Sequence, residues 1–337
     1  MPPESHGKAG GILSAGRKTA GRRTMRAVVV TGGNRGAGLA AARNLAGRGY
    51  DMILLCRDEQ AGRRALGSLH SPQSAGNHRL VATDLASFGS VRAAAARIAG
   101  MEVSISALVN NAACLPVRRA ESRDGFELQI AVNHLAHFLL TNLLLPQLRG
   151  ADGPSRIITI SSAAHSGPAF NFRDPNWERR RYRRRRAYQQ SKLANVLFTL
   201  ALARRVAGTG IQAVALHPGV YDTGLLRSYV SGLPGGGAVR RFVARDAHRA
   251  GPIVGELAAG RRGEDLNGLY FDMGVRAVPA KAARDPRAQE RLWRWSAAAT
   301  GLEPEFGEGE EVPGSARPAG GGGGDPESGG ARELPLR

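Results

Sequence analysis

The 337-residue chain carries 47 lysines and arginines against 28 acidic residues, a formal charge of +19 at pH 7. Such a balance favours anionic partners, whether a phosphorylated cofactor, an anionic membrane surface or nucleic acid, without choosing among them. Two cysteines, Cys56 and Cys114, are too few for a disulfide framework, and no Cys/His cluster has the spacing of a metal site.

Hydrophobic residues make up 42% of the chain and aromatics only 5%, so the core is expected to be built of Ala, Leu and Val. The longest apolar stretch, His137–Leu148, is broken by Thr141 and Asn142 and falls short of the ~18 residues of a membrane span.

Residues 1–24 are Gly-rich and basic with a single acid, Glu4, and read as a disordered leader. A mitochondrial transit peptide is the alternative reading, although the segment lacks a good apolar face, and Met25 stands where a second start would fit. Periodic structure is expected from Arg26. Ala27–Val30 reads as a strand, followed by a glycine loop and the Ala-rich helix Leu39–Arg48. Tyr50–Cys56, Leu80–Ala82, Ser106–Val109, Arg156–Ile160 and Gln212–Leu216 read as further strands, with Gly268–Asp272 as a last one. Helical patterns cover Ser90–Ala99, Phe126–Leu148 and Tyr188–Val206. Short apolar runs alternating with helices predict an α/β fold, a Rossmann-type doubly wound parallel sheet in a single domain over residues 25–302. The stretch 303–337, with five consecutive glycines at 320–324, reads as a disordered Gly/Pro/Glu-rich tail.

The loop after the first strand reads Thr31-Gly32-Gly33-Asn34-Arg35-Gly36-Ala37-Gly38. Glycines between a strand and a helix let the backbone approach a pyrophosphate, and the helix N-terminus supplies amides and partial positive charge. Gly32, Asn34, Arg35, Gly36, Ala37 and Gly38 are therefore candidate cofactor residues. The second strand ends at Cys56, where folds that prefer NAD usually place an acid for the ribose 2′-hydroxyl, and Arg57 follows at once. A guanidinium there, or that of Arg35, suits a 2′-phosphate, which predicts NADP(H) rather than NAD(H). Asp58 is the competing ribose acid if the strand runs longer.

The order of motifs then becomes specific. After the glycine loop come Asp84-Leu85, Asn110-Asn111-Ala112-Ala113, Asn133, Ser161-Ser162, Tyr188-x-x-x-Lys192 and Pro218-Gly219. Over about residues 26–300 this resembles the short-chain dehydrogenase/reductase superfamily. The segments NHLAHFLLTNLLLP, SSAAH, YQQSKLANVLF and ALHPGV resemble its retinol-dehydrogenase-like branch, including the family-member-thirteen group, whose C-terminal helix resembles VPAKAARDPRAQERLW. Ala37 and Ala113 depart from the usual Ile and Gly, and residues 1–24 hold no counterpart to the N-terminal anchoring helix of many retinol dehydrogenases.

The resemblance implies that Asp84 and Leu85 border the adenine and that Asn110 and Ala112 line the cofactor. It further implies that Pro218, Gly219 and Val220 lie along the cofactor and that Thr223 reaches the nicotinamide carboxamide. It makes Asn133, Ser162, Tyr188 and Lys192 the catalytic set, with Ser162 polarising a carbonyl, Asn133 holding a water and Lys192 holding the nicotinamide ribose.

Physical chemistry supports the central pair. Tyr188 and Lys192 are four apart in a helical pattern and share a face. A phenol titrates near ~10 in water. A neighbouring ammonium stabilises the phenolate and makes proton transfer to a carbonyl oxygen feasible near neutrality. Ser161 and Ser162 are alternatives, with Ser162 preferred by motif position. His165 and His217 are expected to pack beside the site, and Cys114 to fill space.

The expected substrate is a small hydrophobic carbonyl or alcohol, a retinoid or lipid aldehyde by analogy. A non-catalytic NADP(H)-binding scaffold is the competing reading. Residues 224–245, after the Pro-Gly motif, read as a substrate lid with a glycine hinge at 235–237. The run Arg179–Arg186 holds seven arginines around Tyr182 immediately before the catalytic helix. It reads as a solvated loop, as peripheral contact with an anionic membrane, or as a nuclear address, while nucleic-acid binding finds no recognised reading module. A cytoplasmic location, with or without that membrane contact, and a homodimer complete the expectations.

Overall fold

A computed structural model of the chain describes residues 26–69, 76–219, 249–260 and 264–302. The expected leader, lid and tail lie outside the described residues.

The strands β1 (Arg26–Thr31), β2 (Asp51–Cys56) and β4 (Ser104–Asn110) are apolar through almost their whole length and nearly every residue is buried. A strand covered by helices on both faces needs that composition. With β3 (Arg79–Ala82), β5 (Ser155–Ile160), β6 (Ile211–His217), β7 (Tyr270–Asp272) and β8 (Val275–Ala277) they form one sheet in the order β3-β2-β1-β4-β5-β6-β7-β8. The strands β1 to β7 pair in parallel. The short β8 folds back antiparallel on β7 through Met273 and Gly274, a turn absent from the sequence reading. Strand order reverses between β1 and β4, so the crevice at their carboxyl ends is the place where such sheets bind ligands.

The helices are α1 (Gly36–Gly47), α2 (Glu59–Gly67), α3 (Phe88–Ala99), α4 (Leu128–Arg149), α5 (Arg184–Arg205), α6 (Ala250–Ala259) and α7 (Pro286–Thr300). Two apolar layers form, one on each sheet face. Phe138, Leu144, Leu197, Phe198 and Trp293 belong to one and Leu45, Leu54, Val214 and Val254 to the other. Helix α4 is long and apolar enough to cross a membrane, with mean hydropathy 1.3, yet 78% of that stretch is buried inside the fold. The expectation that no stretch reaches such a length is thus corrected, and α4 is a core helix. Its first turns contain a π segment, Ala131–Leu135, which places Asn133 in a widened turn.

Candidate active site

The glycine loop is shaped by two residues. Gly32 adopts φ +64°, a region that side chains rarely enter. A Cβ at Gly38 would lie 2.4 Å from the Gly32 carbonyl oxygen and 2.5 Å from Asn111 Nδ2, so only glycine lets the start of α1 close on the loop. Helix α1 has no side-chain cap and no acid in its first turn. Its free amides therefore suit an external anion, the pyrophosphate of a dinucleotide. Asn34 and Ala37 are partly exposed on this loop, and Arg35, at the N-cap position, is exposed.

Arg57 is exposed directly after β2. Asp58, also exposed, accepts the Ala61 amide at 2.9 Å through Oδ1 and caps α2. Farther along the crevice Asp84 accepts the Ala86 amide at 3.1 Å, and Leu85 is buried beside it. Asn110, at the end of β4, donates to the Thr141 hydroxyl at 2.9 Å while its buried Oδ1 has no protein partner. Pro218 and Gly219 (φ +111°) follow β6, whereas Val220 and Thr223 lie outside the described residues.

A hydrogen-bond chain stitches the switch point together. His137 is fully buried, and burial pushes its imidazole down to about 4, so the ring is neutral at pH 7. Its Nδ1 lies 3.1 Å from the Asn133 carbonyl, which can only accept, so Nδ1 carries the proton. Nε2 is then an acceptor and takes the Thr31 hydroxyl at 2.9 Å. The Thr31 oxygen in turn accepts the amides of Asn111 at 2.9 Å and Ala112 at 3.0 Å. The ends of β1 and β4 and the π turn are locked to one another by a single threonine and a single histidine. The sequence reading missed both. The ring's spacing four residues after Asn133 was the available signal.

Asn133 has a committed side chain. Its Oδ1 accepts the Cys114 amide at 2.8 Å, and its Nδ2 donates to the Cys114 carbonyl at 3.2 Å and to Ser191 Oγ at 3.0 Å. Ser191 passes the tie on by donating to the Tyr188 carbonyl at 2.9 Å. The side chain therefore fastens the loop after β4 to α5 between Tyr188 and Lys192.

Lys192 is buried, and its ammonium donates to the Ile160 carbonyl at 3.0 Å. Its Nζ lies 5.7 Å from the centre of the Tyr188 ring. Burial pulls the ammonium down to about 8, against the attraction of Cys114. Desolvation first, and Glu127 second, push the Cys114 thiol itself up to about 12.

The two serines separate cleanly. Buried Ser161 donates to the Lys192 carbonyl at 2.8 Å, a structural tie between β5 and α5. Ser162 is partly exposed and begins a short 3-10 turn, Ala163–Ser166, accepting the Ala164 amide at 3.2 Å. That turn rests on α5, since a Cβ at Gly167 would sit 2.9 Å from the Gln189 side chain, next to Tyr188. His165 accepts the Ala280 amide at 3.1 Å through Nε2 and so donates from Nδ1 to the Ser162 carbonyl at 2.8 Å. His217 accepts the Gly219 amide at 3.4 Å. Both imidazoles are held below their usual range, chiefly by burial. They brace the site, as the sequence led us to expect.

A glycine loop at a switch point, with a buried lysine behind a helical tyrosine and a serine on the neighbouring strand end, defines a Rossmann-fold oxidoreductase that uses a nicotinamide dinucleotide. Residues 26–233 match the model of the family described as short chain dehydrogenase, and the chain belongs to that family. It is 41% identical over 285 residues to human retinol dehydrogenase 13, covering 82% of this chain and 85% of that protein. Human dehydrogenase/reductase SDR family member 13 is 39% identical over 296 residues, or 86% of this chain and 77% of that protein. A crystal structure of an uncharacterized protein from Mycobacterium paratuberculosis superposes with a TM-score of 0.66 at 34% identity, covering 83% of this chain and 95% of its own. The protein is thus an oxidoreductase similar to the retinol dehydrogenases.

Proposed function

We propose that the protein transfers hydride between NADP(H) and the carbonyl or alcohol carbon of a small hydrophobic molecule, with Asn133, Ser162, Tyr188 and Lys192 as its working residues. The observation that carries this reading is the buried Lys192 ammonium 5.7 Å from the Tyr188 ring centre. A buried cation with one carbonyl partner keeps its field for the phenol beside it. When bound, the dinucleotide supplies or accepts the hydride at its nicotinamide ring. In the reducing direction Tyr188 gives its phenolic proton to the substrate oxygen as that oxygen gains negative charge. Ser162 donates a hydrogen bond to the same oxygen and holds the carbonyl in line. Asn133 keeps α5 in place through Ser191, and its own carbonyl is oriented by His137.

The preference for NADP(H) over NAD(H) rests on exposed Arg57 directly after β2, with Arg35 across the loop, and on Asp58 having one carboxylate oxygen engaged in capping α2. A retinoid or another lipid aldehyde is the substrate class suggested by the relatives that share the fold. The direct test compares kcat/KM with NADPH and NADH for the wild type and Arg57→Glu. The wild type is expected to favour NADPH, and the charge reversal is expected to cost about 2 kcal/mol, roughly 30-fold, of that preference. An unchanged ratio would contradict the assignment.

A further inference from the structure

Eight arginines and two acids fall between residues 171 and 186. The inward-facing members of this segment are firmly held. The Arg180 guanidinium lies 3.5 Å from the centre of the Trp177 ring, pairs with Asp174 at 3.3 Å and donates to Gln190 Oε1 at 2.8 Å. The Tyr182 hydroxyl donates to buried Glu127 at 3.0 Å and accepts from Gln129 at 2.7 Å. Trp177 is held at φ +57°, a strained value for a bulky residue, while the Asp174 carboxylate accepts the next two amides, those of Glu178 at 2.8 Å and Arg179 at 3.3 Å. These anchors leave Arg179, Arg181, Arg183 and Arg186 exposed on one segment of fixed shape.

Helix α5 begins at Arg184, so the last three arginines stand in its first turn, which contains no acid. A cation at the positive end of a helix is unfavourable there, and an external anion beside exposed Arg186 relieves it. A second loop adds to the same surface. Arg119 donates to the Asn176 carbonyl at 3.1 Å and ties in Arg118, which is exposed, and Val117, which is 71% exposed. An exposed apolar residue flanked by cations suits the headgroup region of a bilayer.

We propose that this face docks on an anionic lipid surface, bringing the Tyr188 end of α5 close to the source of a hydrophobic substrate. The proposal extends the substrate reading above, and vesicle binding is measured without turnover, so either can fail without the other. A reader of extended basic peptides needs a free strand, whereas Arg180 and Tyr182 pin this one at alternate positions. A single-stranded nucleic acid needs outward aromatic faces, and here Trp177 is buried and Tyr182 packs against it with ring centres 5.7 Å apart.

The test is co-sedimentation of the full chain with vesicles of phosphatidylcholine alone or with one third phosphatidylserine. Binding to the anionic vesicles only, falling with added salt, is expected. Each arginine near such a surface contributes about fivefold, so R179Q/R181Q/R183Q/R186Q together are expected to lower the partition coefficient on the order of several-hundred-fold. The same number of changes at exposed Arg64, Arg97, Arg149 and Arg287 are expected to leave it within a few-fold, and an unchanged melting temperature verifies folding in both variants. Undiminished binding by the first variant, or equal binding to neutral vesicles, would overturn the proposal. Tighter binding to a single-stranded oligonucleotide than to anionic vesicles at 0.15 M salt, lost in the same variant, would assign the face to nucleic acid instead.

Discussion

At the scale of single residues, the site is held together by groups whose protonation is set by burial. Lys192 sits near 8 rather than at the usual lysine value, so it is largely charged at neutral pH and discharges in mildly alkaline solution. The kcat/KM for carbonyl reduction is therefore expected to fall as pH rises through about 8, read from initial rates across pH 6–10. Stability responds with the opposite sign. Between about 8 and the ordinary value of 10.5 the unfolded chain holds a proton that the folded chain has released, so this residue makes folding more favourable as pH rises. Lys192→Met is expected to lose turnover and also to lose that rise, which urea titrations at pH 8 and pH 10 would reveal. His137 is the complementary case. It works as a neutral ring that donates one proton and accepts another, and a phenylalanine in its place would leave the Thr31 hydroxyl only the longer 3.4 Å approach to the Val109 carbonyl. His137→Phe is expected to weaken NADPH binding and turnover together, measured by fluorescence titration and initial rates, while an effect on stability alone would reduce the residue to a core filler.

At the scale of elements, α7 packs on α4 and α5, the helices that carry Asn133 and Tyr188. Trp293 stacks near Phe198, packs edge-on against Phe138 with ring centres 4.9 Å apart, and receives the Arg205 guanidinium 4.1 Å from its ring. From the same helix Ser296 lies 2.8 Å from His134 Nε2 in the π turn. Trp293→Ala is expected to cost about 3–5 kcal/mol in a urea titration. A milder cost of about 1 kcal/mol is expected for Asp285→Ala, whose carboxylate caps α7 at the Arg287 amide.

The elements also show what a linear reading can recover. The buried parallel strands were legible because both faces are covered, which leaves uninterrupted apolar runs such as Met52–Leu55. Helix α2, with its Gly62 and paired arginines, lacks a broad apolar stripe, and β8 is three residues long with Val275 exposed. Neither announces itself. Helix α5 starts at Arg184 rather than at Tyr188, in keeping with the good helix propensity of Arg184–Arg186. Adjacent serines are equivalent in one dimension. Only the turn at the end of β5, which sends Ser161 to the Lys192 carbonyl and leaves Ser162 partly exposed, tells them apart.

At the scale of the whole molecule, the excess of positive charge meets a set of buried neutral histidines. Burial pulls His134 to about 3 and His137 to about 4, and lowers His165 and His217 as well. Each binds a proton in the unfolded chain near 6.5 that it refuses in the fold, so stability is expected to fall as pH drops from about 6.5 toward 4. A chain of net charge +19 adds self-repulsion in the same direction. Urea midpoints at pH 7 and pH 4.5 test this, and a midpoint that holds at the lower pH would contradict it.

The central claim is that a phenol backed by a buried ammonium moves the proton. It is tested most directly by Tyr188→Phe, assayed for NADPH consumption over a panel of hydrophobic aldehydes and ketones, with NADPH binding measured alongside. The expected result is a loss of turnover of at least about 1,000-fold with dinucleotide affinity retained within a few-fold. Carbonyl reduction that continues at the wild-type rate in that variant would contradict the account.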